Sequence, residues 1–173
     1  MMEKYQGSFV ACSAGQYFSL ALTNHGDIIS WGISEIIPTL IPSSDYHSSF
    51  IACSAGQFHA LGLTKNGQII YLGRKYVYEN ECNFPIENQG SFKACSAGYN
   101  HSLALTEDGI IVAWGSNDHG QCDVPSEYQG SFIKCYANEY QTYGLTRDGC
   151  LITWGKKSAH LTDVIEKYQG QFM

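Results

Sequence analysis

Seven cysteines and six histidines carry the widest chemistry in this chain of 173 residues. Thiolates and imidazoles bind zinc, thiols pair as disulfides, and an imidazole can act as a general base. Their spacing decides among these uses. Cys12, Cys53, Cys95 and Cys135 fall inside successive copies of one short motif, and no two cysteines have the close spacing of a closed zinc site. Cys82 and Cys122 recur in the same manner, ahead of Phe84-Pro85 and Val124-Pro125. Thiols repeated at one phase are expected as small core side chains, reduced, with no metal and no cofactor.

The histidines divide similarly. His59 and His101 share a position shortly after a glycine, where a ring nitrogen can tie neighbouring elements together by hydrogen bonds. Neither Ser102 nor Asp108 turns them into a triad, because a repeat-wide position cannot select the geometry of one reacting site. His25, on a hairpin tip, and His119, beside Asp118, are expected to face water. The chain has no phosphate-binding glycine loop with its lysine, no dinucleotide fingerprint, no H-E-x-x-H helix and no calcium loop. No catalytic residue is singled out, and the expectation leans away from an enzyme.

What positions these residues is a repeat. "SFVACSAG" at 8–15 returns as "SFIACSAG" at 49–56, "SFKACSAG" at 91–98 and, more altered, "SFIKCYAN" at 131–138. Phe9, Phe50, Phe92, Phe132 and Phe172 form one ladder; Trp31, Leu72, Trp114 and Trp154, each followed by glycine, form a second with the same step. Four units of about 41 residues result, approximately 5–45, 46–87, 88–127 and 128–167, in one repeat domain; 168–173 starts a fifth.

Each unit reads as strands and tight turns. Alternating residues flank Gly26, Gly67, Gly109 and Gly149, which predicts a hairpin with a primed turn at each. The octet supplies another strand, ending at Gly15, Gly56 and Gly98, where a left-handed turn is expected and Asn138 is the tolerated substitute. A short edge segment is expected near Pro42, Pro85 and Pro125. Such a unit cannot bury its own faces, so neighbours must stack. Stacking gives a radial propeller or a linear solenoid, and the alternation, the hairpin glycines and the central tryptophan favour propeller blades: the fold class is all-β and propeller-like, with a four-bladed ring, an open arc and an arc completed by another chain all open. The tryptophans are expected to hold the blades together.

Sixteen acidic against ten basic residues give a formal charge of -6, which disfavours nucleic acid and anionic membranes as partners. No apolar run is long enough for a spanning helix. The start makes a poor secretory signal, so an intracellular setting is expected, the cytoplasm first and the nucleus as the alternative.

"ACSAGYNHSLALTEDGIIVAWGSNDHGQC" at 94–122 and "ACSAGQFHALGLTKNGQIIYLG" at 52–73 resemble the repeats of the regulator of chromosome condensation family. The resemblance implies a propeller, typically seven-bladed, and a guanine-nucleotide exchange factor for a small GTPase or a chromatin-associated regulator as functions. Leu72 departs from the family's tryptophan, and Phe18 and Gln141 from its histidine.

Where the repeats disagree, recognition has room. The stretch after Gly73 holds Arg74, Tyr76, Tyr78 and Glu79, a mixture of charge and rigid aromatics suited to a protein interface, and Tyr99, Tyr136, Tyr140 and Tyr143 add aromatic surface. The reading is a non-catalytic protein-protein interaction module or scaffold. Its partner is another protein, a small GTPase by resemblance, with self-association left open.

Overall fold

The computed structural model describes residues 8–32, 47, 49–73 and 91–156. Among the described residues, twelve strands fall into four antiparallel sheets of three. The first holds β1 (Phe9–Ala14), β2 (Phe18–Thr23) and β3 (Ile28–Gly32); the second β4 (Phe50–Ala55), β5 (His59–Thr64) and β6 (Ile69–Gly73). The third holds β7 (Phe92–Ala97), β8 (His101–Thr106) and β9 (Ile111–Gly115), and the fourth β10 (Phe132–Ala137), β11 (Gln141–Thr146) and β12 (Leu151–Gly155). In every sheet the first strand carries an irregularity just after its phenylalanine, as between Phe9 and Ala11.

The hairpin glycines stand where the sequence places them, but the turn differs from the expected primed pair. Gly26 N–H donates to Thr23 C=O and Thr23 N–H to Asp27 C=O, with Gly26 at φ +92°. This is a turn closed by a glycine bulge, and the other three hairpins repeat it. The hydroxyl of Thr23, Thr64, Thr106 or Thr146 accepts a further backbone N–H across each loop.

Each sheet packs on the one before it: β4 on β1 and β2, β7 on β4 and β5, β10 on β7 and β8. The core lies in these three junctions. Phe50 and Leu72 meet Leu20 and Leu22; Phe92 and Trp114 meet Leu61 and Leu63; Phe132 and Trp154 meet Leu103 and Leu105. The two ladders are thus the side chains a sheet sinks into its predecessor. Trp31, in the first sheet, is 39% exposed against 5% for Trp114, and Phe9 is 40% exposed. Trp31 therefore binds no pair of described sheets together, unlike the other members of its ladder. Among the described residues no comparable packing joins the fourth sheet to the first, and the array is an open arc.

The recurring octet makes the polar half of each junction. Ser13 Oγ accepts Ala55 N–H, Ser54 Oγ accepts Ala97 N–H and Ser96 Oγ accepts Ala137 N–H, each at 2.9 Å. Gly15, Gly56 and Gly98 have no positive φ, so the expected left-handed turn is not their reason. A Cβ on Gly15 would run into Gly56 O, one on Gly56 into Gly98 O, and one on Gly98 would lie 2.5 Å from Asn138 O. Glycine is needed because the next sheet's carbonyl occupies the space.

The expected edge segment is not a strand in the third unit. Past Pro125 the chain forms a 3-10 turn, Ser126–Tyr128, and the Gln129 side chain then bonds both N–H and C=O of Ile111 at 2.9 Å. One amide side chain does there what a strand edge would do. Among the described residues no helix is long and apolar enough to cross a membrane.

Candidate protein-interaction face

The histidines are committed to the junctions. His59 Nε2 lies 2.8 Å from Ser102 Oγ and His101 Nε2 lies 3.0 Å from Thr142 Oγ1, each bond crossing to the middle strand of the next sheet. Both rings are fully buried, and burial lowers each imidazole to about 4, with His101 adding to the effect at His59. A neutral, enclosed ring already bonded to a hydroxyl has no route to a substrate proton. The first junction replaces the polar pair: Phe18 stands in the histidine position and packs in one cluster with Ala60.

Among the described residues no group of three or more His, Cys, Asp or Glu could hold a metal. Cys12, Cys53, Cys95, Cys122, Cys135 and Cys150 are free thiols. Burial pushes Cys53 up to about 11 and Cys122 and Cys135 up to about 12, and raises Cys95 as well. A thiol so disfavoured as thiolate is a packing group and not a nucleophile.

The open chemistry lies at one end of the sheets. First and middle strands meet there in short turns, and the third strands also finish there, since Phe18 pairs with Gly32, His59 with Gly73, His101 with Gly115 and Gln141 with Gly155. The turns of all four repeats line one cleft of about 210 Å³, each contributing the residue after its Gly or Asn: Gln16, Gln57, Tyr99 and Glu139. In three of the turns the next residue is aromatic, Tyr17, Phe58 and Tyr140, and Tyr17 and Phe58 are partly buried against the core of the first junction. Tyr17 stacks on Phe58 at 5.1 Å, Tyr99 meets Tyr140 at 5.9 Å, the His119 ring stands edge-on to Tyr140 at 5.0 Å, and Lys156 Nζ sits 5.0 Å above the same tyrosine ring.

Gln121 fixes this corner. Its C=O accepts from Thr142 Oγ1 at 2.7 Å and Trp154 Nε1 at 3.0 Å, while its side chain bonds His119 N–H and Ser116 Oγ. The loop carrying His119 is thereby held against the fourth sheet.

Of the residues expected to carry recognition, Tyr99 lines the cleft and meets the Tyr140 ring, while Arg74, Tyr76, Tyr78 and Glu79 lie outside the described residues. Tyr143 is half-buried with its hydroxyl on Gln141 Oε1, and Tyr136 is exposed on β10, away from the cleft lining. His25 and His119 are exposed as expected. The glutamines Gln16 and Gln57 were not singled out by type; their signal was position, immediately after the repeated glycine.

A family model described as the regulator of chromosome condensation (RCC1) repeat matches residues 92–121. No curated protein matches the chain in sequence. Among solved structures, human WBSCR16 is 19% identical over 87% of this chain and 49% of its own, with a TM-score of 0.71. Prp20p from Saccharomyces cerevisiae, a protein described with binding properties to Gsp1p and histones, is 17% identical over 88% of this chain and 45% of its own, with a TM-score of 0.68. The CRINKLY WD40 ectodomain of the Arabidopsis thaliana receptor kinase ACR4 is 22% identical over 85% and 49%, with a TM-score of 0.65. The chain spans about half the length of these structures. Likeness at such identity concerns the fold, a propeller-like array, and the match to the regulator of chromosome condensation repeat covers one repeat of this chain, residues 92–121.

Proposed function

We propose that the domain is a non-catalytic protein-binding module that presents the cleft end of its sheets to a partner. The observation that carries this reading is a cleft lined by turns of all four repeats, with Tyr99 in its lining and in ring contact with Tyr140. Aromatic groups on a rigid scaffold give large contact area with little ordering cost, and such residues dominate measured interfaces. The repeated columns are committed to stacking, which leaves the turns for recognition. Arg74, Tyr76, Tyr78 and Glu79 belong to the same proposal, because the chain leaves β6 at this end, at Gly73.

The alternative reading makes the partner a small GTPase and nucleotide exchange the activity to look for. The support is the fold shared with Prp20p, which binds Gsp1p and histones. A basic protein of the histone kind also suits a chain of formal charge -6, whereas DNA does not. An intracellular location, nuclear or cytoplasmic, goes with this reading and with the free thiols.

The test is the double variant Tyr99→Ala, Tyr140→Ala, assayed for capture of purified small GTPases and core histones and for nucleotide release from the former. Binding weakened by about tenfold or more at unchanged unfolding midpoint supports the face. Full binding by a folded double variant removes it, and binding without accelerated nucleotide release removes the exchange reading alone.

A further inference from the structure

Resting on the protein-binding reading of this end of the sheets, we infer that the cleft is a subsite for one lysine or arginine side chain of the partner. Glu139 pairs with its charge and Tyr99 flanks its stem.

The turns that line the cleft spend their N–H groups inside the fold. Gly15, Gly56, Gly98 and Asn138 N–H each donate back to the middle strand of their own sheet, and Gln16 and Tyr99 N–H donate to the carbonyl of the neighbouring turn. Donors committed in this way form no nest for an anion. Among the described residues that line the cleft there is also no lysine, arginine or histidine. A phosphate or a carboxylate would therefore leave water without a charge or a set of amides to receive it.

A cation finds the opposite. Glu139 is the sole charged residue of the lining, it is exposed, and its carboxylate has no ion-pair partner among the described residues. Gln16 and Gln57 stand on the turns of the first two sheets, so the negative charge is concentrated at the Tyr99 and Glu139 end. An exposed carboxylate alone holds a cation weakly, and an aromatic face beside it adds a second attraction. That corner already shows the second contact once, since Lys156 Nζ lies 5.0 Å over the Tyr140 ring, which meets Tyr99 at 5.9 Å.

Size points to a side chain. The cleft holds about 210 Å³, below the roughly 300–1,000 Å³ of pockets that enclose a small molecule. Lysine and arginine both carry an apolar stem that can lie along a ring while the charged head stays at the carboxylate. The formal charge of -6 draws basic segments to the chain from a distance, and Glu139 gives one of their side chains a place to stop.

The experiment titrates the whole, isotope-labelled chain with end-blocked nonapeptides of glycine and serine that carry one central arginine, lysine, glutamine or glutamate. Amide shifts at Tyr99 and Glu139 are expected to saturate with the arginine and lysine peptides and to stay still with the other two. Glu139→Gln should weaken that binding about threefold or more, Glu139→Lys should abolish it, and salt at about 0.5 M should reduce it. The amide spectrum identifies folded variants, and the neutral substitution carries the test if the charge reversal loses its fold. A glutamine peptide that binds as well as the arginine peptide, binding that ignores Glu139→Gln, or cleft amides that no peptide moves would each overturn the basic subsite. The protein-binding face fails separately: captured proteins that ignore Tyr99→Ala, Tyr140→Ala remove the face, even where the arginine peptide still seats at Glu139 and supports the subsite.

Discussion

His101 and Thr142 are joined by a bond whose direction is determined. Thr142 Oγ1 lies 2.7 Å from Gln121 C=O, which can only accept, so the hydroxyl gives its proton there and must accept from His101 Nε2–H at 3.0 Å. The ring is therefore the Nε2–H tautomer, and its buried Nδ1 has no hydrogen-bond partner. A second proton on that nitrogen would be a buried, unpaired charge.

Stability should accordingly fall on mild acidification. His59 and His101 are lowered to about 4 from 6.5, so the unfolded chain binds protons first. The contribution is fully present above about pH 6.5 and is lost as pH falls through 4, on the order of a few kcal/mol for the pair. Urea midpoints between pH 6.5 and 5, above the ordinary carboxylate range, should drop, and less steeply in His59→Gln. A flat profile there would contradict the buried neutral rings.

The pairing of His59 with Ser102 should behave as a unit. His59→Phe and Ser102→Ala each leave a mismatched partner, whereas the double variant copies Phe18 and Ala60 of the first junction. Unfolding free energies should show a favourable coupling of about 1–2 kcal/mol, the double variant being more stable than the sum of the singles implies. Strict additivity would mean that the two positions do not read each other.

Glycine should be indispensable in one column and dispensable at its fourth member. Gly56→Ala drives a methyl into Gly98 O and to 2.8 Å from His59 Cε1, so a loss of about 3 kcal/mol is expected by chemical denaturation. Asn138→Gly should stay within about 1 kcal/mol of the parent. Equal effects would show that the column serves backbone conformation instead.

The two tryptophans of the same ladder should differ. Trp114→Ala removes a 5% exposed side chain from the second junction and should cost about 3–5 kcal/mol. Trp31→Ala, at 39% exposure, should cost about 1 kcal/mol. Matching losses in thermal or urea unfolding would place a covering element over Trp31.

Periodicity made the strands, the hairpin glycines and the two apolar ladders legible, because a buried phenylalanine or tryptophan returns at a constant step. It also pointed to His59 and His101 as ties. What stayed hidden depends on distances between sheets. Gly15, Gly56 and Gly98 look like turn glycines until the next sheet's carbonyl is seen against them, and Ser13, Ser54 and Ser96 look like ordinary strand residues until the alanine N–H of the neighbour is found. Their replacement by Asn138 and Tyr136 was visible as letters, but its meaning required knowing which face those positions serve. Tyr99 and Tyr140 were recognisable as aromatic surface, whereas the approach of His119 to Tyr140 depends on the loop that Gln121 holds.

The recurring octet latches one sheet to the next through serine. Residue-resolved amide hydrogen exchange tests it most directly. Ala55, Ala97 and Ala137 N–H should be strongly protected in the parent chain, and Ser54→Ala should speed exchange at Ala97 by at least about tenfold while leaving Ala55 unchanged. Protection at Ala97 that survives Ser54→Ala would contradict the latch and, with it, the stacking rule drawn from the repeats.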